Sequence, residues 1–345
     1  MKATRLGLVI LAAAAAACLS FGVGSAPAGA PSAASAFVPP TPPAGAAKSF
    51  AFKDTPGKFL DVFLDGRAVA RYMYAFDEAK RDETYKPFLH LFDAEGKTLI
   101  TKGAGGYYTH HRGIFYGWQG MTFKGQKGVN IWEMAAGNQI HQKFSAQKAE
   151  ADQATFTSVI DWKLKDGTKI LEEERTFTFH RAAAPTLALI DFTSTVKAVN
   201  GDVVLDTNTN AEHGGVHFRA ADEKEGLDKK ATKFLYPAAA DWVSGDPSKT
   251  SKIVGPWAAM DFTIKGATYC AEEMSSPANP QKIEWSAYRD YARFGAFFPG
   301  GEVKDGQTFT LCCRFWVTAG KPPTREEFQA NYETYAKEVK SDKAK

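Results

Sequence analysis

Two histidines and an arginine lie inside an aromatic run in the stretch Tyr107–Trp118, which reads YYTHHRGIFYGW. In a regular strand the adjacent His110 and His111 would point to opposite faces, so one site could use only one of them. The threonine before the pair and the glycine after Arg112 favour a strand start or a bulge, which breaks that alternation. Arg112 needs an anionic partner or a polar cavity among so many rings. The pattern indicates either one core and one solvated histidine, or a site for acid–base chemistry.

A second polar stretch, Leu205–Glu223, gathers acidic, imidazole and guanidinium groups within a few residues. Its sequence, LDTNTNAEHGGVHFRAADE, begins like a calcium loop, but alanine and histidine replace the turn glycine and the bidentate glutamate of an EF-hand. Read as a strand after the glycine pair, it places His217 and Arg219 on one face, and His213 shares their parity if the chain stays extended. We expect Glu212 or one of these histidines to have a functional role.

These groups suit two kinds of site. Histidine or glutamate could move a proton while arginine holds an anionic or enolate-like oxygen. Two or three imidazoles with a carboxylate would also suit zinc, manganese or iron, although the chain has no H-E-x-x-H motif and no cysteine cluster. A divalent metal therefore stays an open alternative, and no particular metal is indicated. The candidate ligands are His110, His111, Glu133, His141, Glu212, His213 and His217.

The seven tryptophans form a further group of candidates. Large aromatic side chains usually fill the core of a β-sandwich. Those beside polar residues could instead form platforms on which sugar rings stack. Trp118, Trp132 and Trp257 are the candidates of this kind.

The N-terminus indicates export. Lys2 and Arg5 precede the apolar run LGLVILAAAAAACLSFGVG, and small-residue sites follow it. This order is typical of a signal peptide, which we place at residues 1–36, with a Pro/Ala-rich linker at 37–47. A membrane anchor is the alternative, and Cys18 could carry a lipid, although the AAA before it matches a lipoprotein box poorly. The predicted location is secreted or periplasmic.

The charge, hydropathy and cysteine content limit the binding partners and the disulfides that we expect. Without Lys2 and Arg5 the formal net charge falls from +3 to +1, which does not favour nucleic acid. No apolar run after the leader reaches the roughly 20 residues that a membrane-spanning helix needs. An oxidising compartment would allow a disulfide from Cys270 to Cys312 or Cys313, although the alternating stretch FTLCCRFWV favours buried thiols.

Short alternating segments with turn signals between them predict an all-β fold. Asp65-Gly66 and Asp166-Gly167 each join two such segments, as in β-hairpins. Aromatic and β-branched residues dominate the segments. Only PTREEFQANYETYAKEVK has helical periodicity. We therefore expect one large antiparallel β-sandwich at 48–320, followed by a C-terminal helix and charged tail at 321–345.

The chain also resembles the bacterial PmoA-like family of unknown function over roughly residues 58–318. The resemblance implies an exported β-sandwich similar to the supersandwich of sugar mutarotases. The label "methane oxygenase PmoA", often given to that family, implies an integral membrane oxygenase and conflicts with the lack of a spanning segment. The loop SSPANP also departs from the family's Asp-His-Pro-x-Asn-Pro, so one histidine is missing. The matching stretches, in order, are PFLHLFDAEGKTLI, HHRGIFYGW, NIWEM, DWKLKDGTKILEEERTFTF, EHGGVHFRAADE and EEMSSPANPQKIEW.

Together these features predict an exported carbohydrate-active enzyme. It would act on a glycoside or an oxidised (keto) sugar, a small molecule or oligosaccharide, by hydrolysis, elimination or epimerisation. A non-catalytic carbohydrate-binding or cell-envelope protein and a metal-dependent, oxygenase-like redox protein are the alternatives. The expected catalytic residues are His111, Arg112, Glu212 and His217, and the expected substrate-binding residues are His110, Trp118, Trp132, His213 and Arg219.

Overall fold

The computed structural model describes residues 37, 39–43, 48–206, 212–244, 253–280, 283–298 and 301–342. The chain divides into two units, Met1–Val38 and Pro39–Lys345, and all the helices and strands of the described residues belong to the second. The predicted signal peptide, with Cys18, and part of the predicted linker lie outside the described residues.

Strands make up most of the described chain. Two α-helices accompany them, α1 (Arg81–Thr84) and α2 (Arg325–Asp342). Short 3₁₀ turns lie at Glu78–Lys80, Glu223–Glu225 and Arg289–Tyr291. The strands are β1 (Phe50–Thr55), β2 (Phe59–Leu64), β3 (Arg67–Met73), β4 (Phe88–Leu91), β5 (Ile114–Trp118), β6 (Met121–Phe123), β7 (Gln126–Val129), β8 (Gly137–Ala149), β9 (Gln153–Leu164), β10 (Lys169–His180), β11 (Thr186–Ala198), β12 (Val203–Leu205), β13 (Gly214–Arg219), β14 (Leu227–Leu235), β15 (Trp257–Ile264), β16 (Ala267–Ser275), β17 (Glu284–Tyr288), β18 (Arg293–Phe297), β19 (Gly301–Val303) and β20 (Thr308–Ala319).

These strands form three antiparallel sheets. The first has the order β1-β2-β3-β4-β5-β13-β18-β17, and the second has β14-β15-β16-β20-β11-β10-β9-β8. A smaller sheet has the order β19-β12-β6-β7. The two large sheets pack face to face: the Tyr72 hydroxyl of the first donates to Ser158 Oγ of the second at 3.0 Å, and the Phe218 ring lies 5.8 Å from that of Phe262. The predicted all-β sandwich is therefore confirmed.

The hairpin and helix predictions are confirmed as well. β2 and β3 pair across Asp65-Gly66, where both residues have positive φ, and β9 and β10 pair across Asp166-Gly167. The predicted C-terminal helix is α2, whose Phe328 and Tyr335 pack on Trp257 and Cys270 of the second sheet. No helix of the described residues is long and apolar enough to cross a membrane.

The possible disulfide from Cys270 to Cys312 or Cys313 is not formed. Cys270 and Cys313 are buried, and each belongs to an apolar cluster of the core. This is the buried-thiol interpretation that the alternating sequence favoured.

Alternation also divides the first sheet into two faces. On β13, Val216 and Phe218 join the core between the sheets, so His217 and Arg219 face the other way. On β5, Tyr116 belongs to that core, whereas Phe115 packs outward with Phe88 and Trp132. The outward face of this sheet is where the polar side chains gather.

Candidate functional site

The two polar stretches of the sequence meet on the outward face of the first sheet. Trp132, from the segment between β7 and β8, is fully buried at the centre of the cluster. Its ring centroid lies 4.4 Å from that of His217, 4.9 Å from Phe115, 5.6 Å from His213 and 6.3 Å from His111. We call these residues, with His110, Glu212, Tyr288, Tyr291 and Arg293, the histidine cluster.

His111 is buried in this cluster, with 2% of its surface exposed. Its ring stacks on Tyr291 at 5.7 Å and on Phe115 at 5.8 Å, and the ring of His110 lies 4.3 Å away. Neither ring nitrogen of His111 has a hydrogen-bond partner among the described residues. Burial, and next the charge of Arg293, hold the pKa of His111 well below 6.5. The ring is therefore neutral at pH 7, with one N–H group and one lone pair unengaged.

His217 contrasts with His111 because both of its ring nitrogens are engaged. Arg293 Nη1 donates to His217 Nδ1 at 2.8 Å, and Arg293 Nη2 donates to Ser286 Oγ at 2.8 Å. Since Nδ1 accepts, the hydrogen of this imidazole is on Nε2, which points to the Gly214 carbonyl at 3.3 Å. Burial, then Arg293, lowers the pKa of His217. The fully buried Arg293 is thereby fixed, with its Nε unpartnered among the described residues.

A glycine makes room for this pair. Gly295 on β18 lies opposite His217 in the strand register. A Cβ atom at this position would lie 2.4 Å from His217 Cγ, closer than side-chain atoms approach in real proteins. The imidazole therefore occupies space that only glycine leaves open.

Glu212 and Tyr288 form a second hydrogen-bonded pair in the cluster, beside His217 and Arg293. The Tyr288 hydroxyl donates to Glu212 Oε2 in a short hydrogen bond. The Arg293 guanidinium lies 4.7 Å from the centre of the Tyr288 ring, and Tyr288 stacks on Tyr291 at 5.1 Å. A carboxylate, a phenol and a cation are thus adjacent on the side of the cluster formed by β17 and β18.

Buried cations hold the backbone around the cluster. Lys86 Nζ donates to the Trp132 carbonyl at 2.9 Å, and burial holds its pKa well below 10.5. Lys102 Nζ donates to the carbonyls of Gly103 at 3.0 Å and Gly105 at 2.5 Å. The pKa of His110 falls to about 2, mainly through burial and next through Lys86. Burial, with nearby positive charges as a smaller contribution, therefore lowers the pKa of His110 and His111 and keeps both imidazoles neutral at pH 7.

Arg112 has a related structural role. It donates from Nε to the Thr109 carbonyl at 2.6 Å, from Nη1 to the Glu83 carbonyl at 2.8 Å, and from Nη2 to the Asp82 carbonyl. Its guanidinium also lies over the Tyr85 ring at 4.1 Å. The polar partners that this arginine needed are backbone carbonyls, so Arg293 and not Arg112 presents an open N–H group to the cluster.

Trp118 lies outside the cluster. It has the same parity on β5 as Tyr116, and its Nε1 donates to the Tyr116 hydroxyl at 2.8 Å in the interior between the sheets. Alternation dictates this position: a residue two places from an inward side chain also points inward. Trp118 is therefore not available to a ligand on the outward face, and Trp132, although it lies in the histidine cluster, is also fully buried, so neither ring is an exposed platform for a sugar.

The other proposed metal ligands are dispersed. His141 Nδ1 lies 2.6 Å from Ser158 Oγ, and its ring packs on Tyr74 at 4.5 Å. Glu133 is exposed and accepts from Asn130 Nδ2 at 2.9 Å. In the parts of the chain that the structure describes, no group of three or more His, Cys, Asp or Glu side chains is placed to hold a metal ion.

Three residues of the cluster escaped the analysis of the sequence: Tyr288, Tyr291 and Arg293. They lie together in YRDYARFG, between two apolar strand segments. The signal was the one that singled out Arg112, an arginine inside an aromatic strand. Beside Tyr291 opens a cleft of about 650 Å³, whose wall also includes Arg219 and Tyr107.

Comparisons with known proteins give a family and weak structural likenesses. No curated protein matches the chain. A mutant of the heparan sulfate lyase HepC from Pedobacter heparinus aligns at 11% identity and a TM-score of 0.40, covering 79% of this chain and 37% of the lyase. A galactose mutarotase related enzyme from Lactobacillus acidophilus aligns at 8% identity and a TM-score of 0.35, covering 79% of this chain and 97% of that protein.

These likenesses are too weak to bear on function, and the resemblance to PmoA-like proteins stays a prediction. The family model is more extensive, since it matches residues 60–333. That range includes every residue of the histidine cluster. The chain belongs to the family of unknown function DUF6807.

Proposed function

We propose that the chain is an exported carbohydrate-active enzyme that moves a proton on an oxidised (keto) sugar or a glycoside, by elimination or epimerisation. The observation that carries the proposal is His111, a neutral imidazole within the histidine cluster with both ring nitrogens unengaged among the described residues. Buried polar groups in native proteins are normally hydrogen-bonded, so such a group needs an explanation. A bound ligand that forms hydrogen bonds with both His111 and the neighbouring Arg293 would provide this explanation.

The proton transfer assigned to His111 is the removal of a hydrogen from a carbon next to a carbonyl. The lone pair of the imidazole takes the proton, and the electrons of the C–H bond move onto the carbonyl oxygen. Arg293 Nε, which lacks a partner among the described residues, would donate to that developing oxyanion. Return of the proton to the opposite face of the carbon gives an epimer. Loss of a β-oxygen, protonated as it leaves, gives elimination.

The Glu212–Tyr288 pair would supply the second proton transfer. Tyr288 donates to Glu212 and lies beside Arg293, so a proton can pass between the phenol and the carboxylate while the cation stabilises the anionic form. A base on one side and an acid on the other are what epimerisation and elimination require.

The sugar in the proposal is supported by the surroundings of the cluster. Tyr107 and Tyr291 offer rings to the cleft beside the cluster, and its volume of about 650 Å³ is in the range of small-ligand sites. Tyr108 covers His111 at a ring distance of 5.2 Å, is 41% exposed and has a φ of 53°. We propose that a sugar reaches His111 when Tyr108 moves aside.

The decisive experiment is solvent exchange in D₂O, followed by product analysis, on a panel of glycosides and 3-keto-glycosides. The enzyme should introduce deuterium next to the carbonyl of a keto sugar. His111→Gln should lower the exchange rate about 100-fold or more, since general-base catalysis contributes about that much. Its melting temperature should change little, because the ring nitrogens make no hydrogen bonds with the described residues.

The matched control is His141→Gln, which removes a histidine remote from the cluster. It should exchange at the wild-type rate. Exchange that survives in His111→Gln would contradict the assignment of the base. No exchange and no product on the whole panel would contradict the enzyme proposal itself.

A non-catalytic carbohydrate-binding protein is the second candidate. It is favoured by the tyrosine pair Tyr107 and Tyr108, which are 71% and 41% exposed and lie 4.5 Å apart. Exposed rings of this kind can stack on sugars without any proton transfer. Binding on a glycan array, lost in Tyr107→Ala and kept in His111→Gln, with no exchange, would select this function.

The metal-dependent redox alternative has the least support in the described residues, which present no set of three ligands. Metal analysis of protein purified without chelators decides this alternative. Stoichiometric iron or copper would revive it.

A further inference from the structure

Arg219 is a buried cation with two nitrogens that have no hydrogen-bond partner among the described residues. It ends β13, is 1% exposed, and lies on the outward face of the first sheet with its guanidinium 5.3 Å from the Tyr291 ring. Nε and Nη1 have no hydrogen-bond partner among the described residues. The side chain forms part of the wall of the 650 Å³ cleft.

The nearby carboxylates do not satisfy this guanidinium. Asp222 Oδ1 accepts from the Lys224 amide at 3.0 Å, and Glu225 Oε2 accepts from the Asp222 amide at 2.7 Å. Both carboxylates cap the 3₁₀ turn Glu223–Glu225, where Asp222 and Glu225 form a capping box. Both carboxylates attract Arg219 electrostatically, yet neither accepts from its Nε or Nη1.

The other buried cations of the region show what is unusual about Arg219. Lys86, Lys102 and Arg112 each donate to backbone carbonyls. Arg219 is equally buried, and a buried charged donor without an acceptor costs free energy. An acceptor that arrives with a ligand would remove that cost.

The rim of the cleft cannot provide the charge selectivity. Lys229 forms an ion pair with Glu223 at 2.6 Å, and the exposed Lys224 and Asp290 have opposite charges. Exposed and paired charges contribute little to binding. Discrimination between a charged and a neutral ligand therefore depends on the buried guanidinium.

We propose that Arg219 is the centre of an oxyanion subsite, which binds the carboxylate or sulfate of an acidic sugar lying against Tyr291. This inference rests on the proposed function and extends it by naming the charge of the substrate. Guanidinium groups match planar and tetrahedral oxyanions through paired N–H donors. The sugar ring would occupy the cleft between Tyr107 and Tyr291.

Calorimetric binding of three probes tests the subsite: D-glucuronate, D-glucose 6-sulfate and D-glucose. The wild-type protein should bind at least one acidic probe about tenfold or more tightly than glucose, as expected for a hydrogen bond to a charged group. Comparison of the two acidic probes distinguishes carboxylate from sulfate. Arg219→Met, which keeps the apolar stem, should abolish the preference, whereas Lys224→Gln should change each affinity less than about twofold.

The melting temperature is a second measurement, and it distinguishes a ligand-binding arginine from a purely structural one. Because the donors of Arg219 have no acceptor among the described residues, ligand-free Arg219→Met should melt at or above the wild-type temperature. Lower stability would indicate a structural role and overturn the inference. Should the variant fail to fold, the inference is overturned on the same ground.

Failure of this inference and failure of the proposed function give different results. Equal affinity of the wild-type protein for glucose and both acidic probes overturns the subsite, even if keto sugars exchange deuterium. Conversely, a wild-type protein that prefers an acidic probe but exchanges no deuterium with any keto sugar contradicts the proposed function and supports the subsite. A preference that persists in Arg219→Met, or is lost equally in Lys224→Gln, also overturns it.

Discussion

His111 and His217 share one cluster, but their ring nitrogens differ in what they contact. His217 accepts from Arg293 and directs its own N–H to the Gly214 carbonyl, so it cannot exchange a proton without breaking a hydrogen bond. His111 has no such bond among the described residues. Proton transfer is therefore assigned to His111, and His217 is a positioning residue that holds Arg293.

The hydrogen bond between Tyr288 and Glu212 predicts that the two side chains act as a unit. Glu212→Gln and Tyr288→Phe should each lower the rate of deuterium exchange about tenfold or more, and the double variant should be no slower than the slower single variant. The cause is that each change removes the same proton path. The measurement is a double-mutant cycle on exchange rates with a keto sugar.

Tyr74→Phe is the control for this cycle, since its hydroxyl donates to Asp54 Oδ1 at 2.6 Å, away from the cluster. It should leave the exchange rate unchanged. Rate losses that multiply in the double variant would mean that Glu212 and Tyr288 act independently, contrary to the proposed shared role.

The sequence alone could not tell which arginine serves the cluster. Arg112 and Arg293 both lie in aromatic surroundings, so both needed polar partners. Two of the carbonyls that Arg112 contacts are 29 and 30 residues away, and Arg293 contacts His217, 76 residues away. Such contacts depend on how the strands are ordered in the sheet, which local pattern does not reveal.

At the scale of the strands, much of the site follows from alternation. The period of two predicts that His217 and Arg219 share one face, and glycine-containing turns predict two hairpins, as the structure has them. On β5 the side chains alternate too, but all five residues are buried, so the sequence does not show which of them face the interior between the sheets. With both faces covered, nothing in IFYGW indicates that Trp118 points between the sheets.

Because β18 approaches β13 closely at Gly295, we expect any larger residue at this position to destabilise the protein. Gly295→Ala would place a methyl group 2.4 Å from His217 Cγ and from the Val216 carbonyl oxygen. The imidazole or the strand must shift, at a cost of about 1–3 kcal/mol in the free energy of unfolding. Because His217 holds Arg293, the exchange rate should fall as well. Urea unfolding and deuterium exchange measure the two effects.

Gly301→Ala is the matched control for this substitution. A Cβ atom at Gly301, on the edge strand β19, would meet no heavy atom of the described residues within 4 Å. Its stability and activity should stay close to the wild type. If Gly295→Ala behaved like Gly301→Ala in both measurements, His217 would not be held in the arrangement that the proposal requires.

At the scale of the whole molecule, loops carry the cluster and buried cations hold the loops. Lys86 and Arg112 donate to carbonyls of segments that are distant in sequence, and Lys102 donates to carbonyls of its own loop. These contacts place imidazoles where burial and positive charge both disfavour protonation. The arrangement therefore links the stability of the fold to pH.

Acid should destabilise the protein well above the pH at which carboxylates are protonated. The pKa is lowered to about 4 for His141, about 3 for His90 and about 2 for His110, and well below 6.5 for His111 and His217, with burial the main cause for each. Between these values and 6.5 the unfolded chain binds protons that the folded chain does not. The free energy of unfolding therefore falls as the pH falls below about 6.5, by up to about 1.4 kcal/mol per pH unit for each histidine.

Urea unfolding at pH 7, 6 and 5 measures this slope. His90→Gln is the informative variant, because His90 packs on Phe88 and Thr101 outside the histidine cluster. It should lose some stability at pH 7, yet its slope between pH 6 and 5 should be shallower than the wild-type slope by the share of one histidine. A wild-type stability that is constant from pH 7 to 5 would mean that the folded protein binds protons at these imidazoles as readily as the unfolded chain does, so that burial does not lower their pKa values.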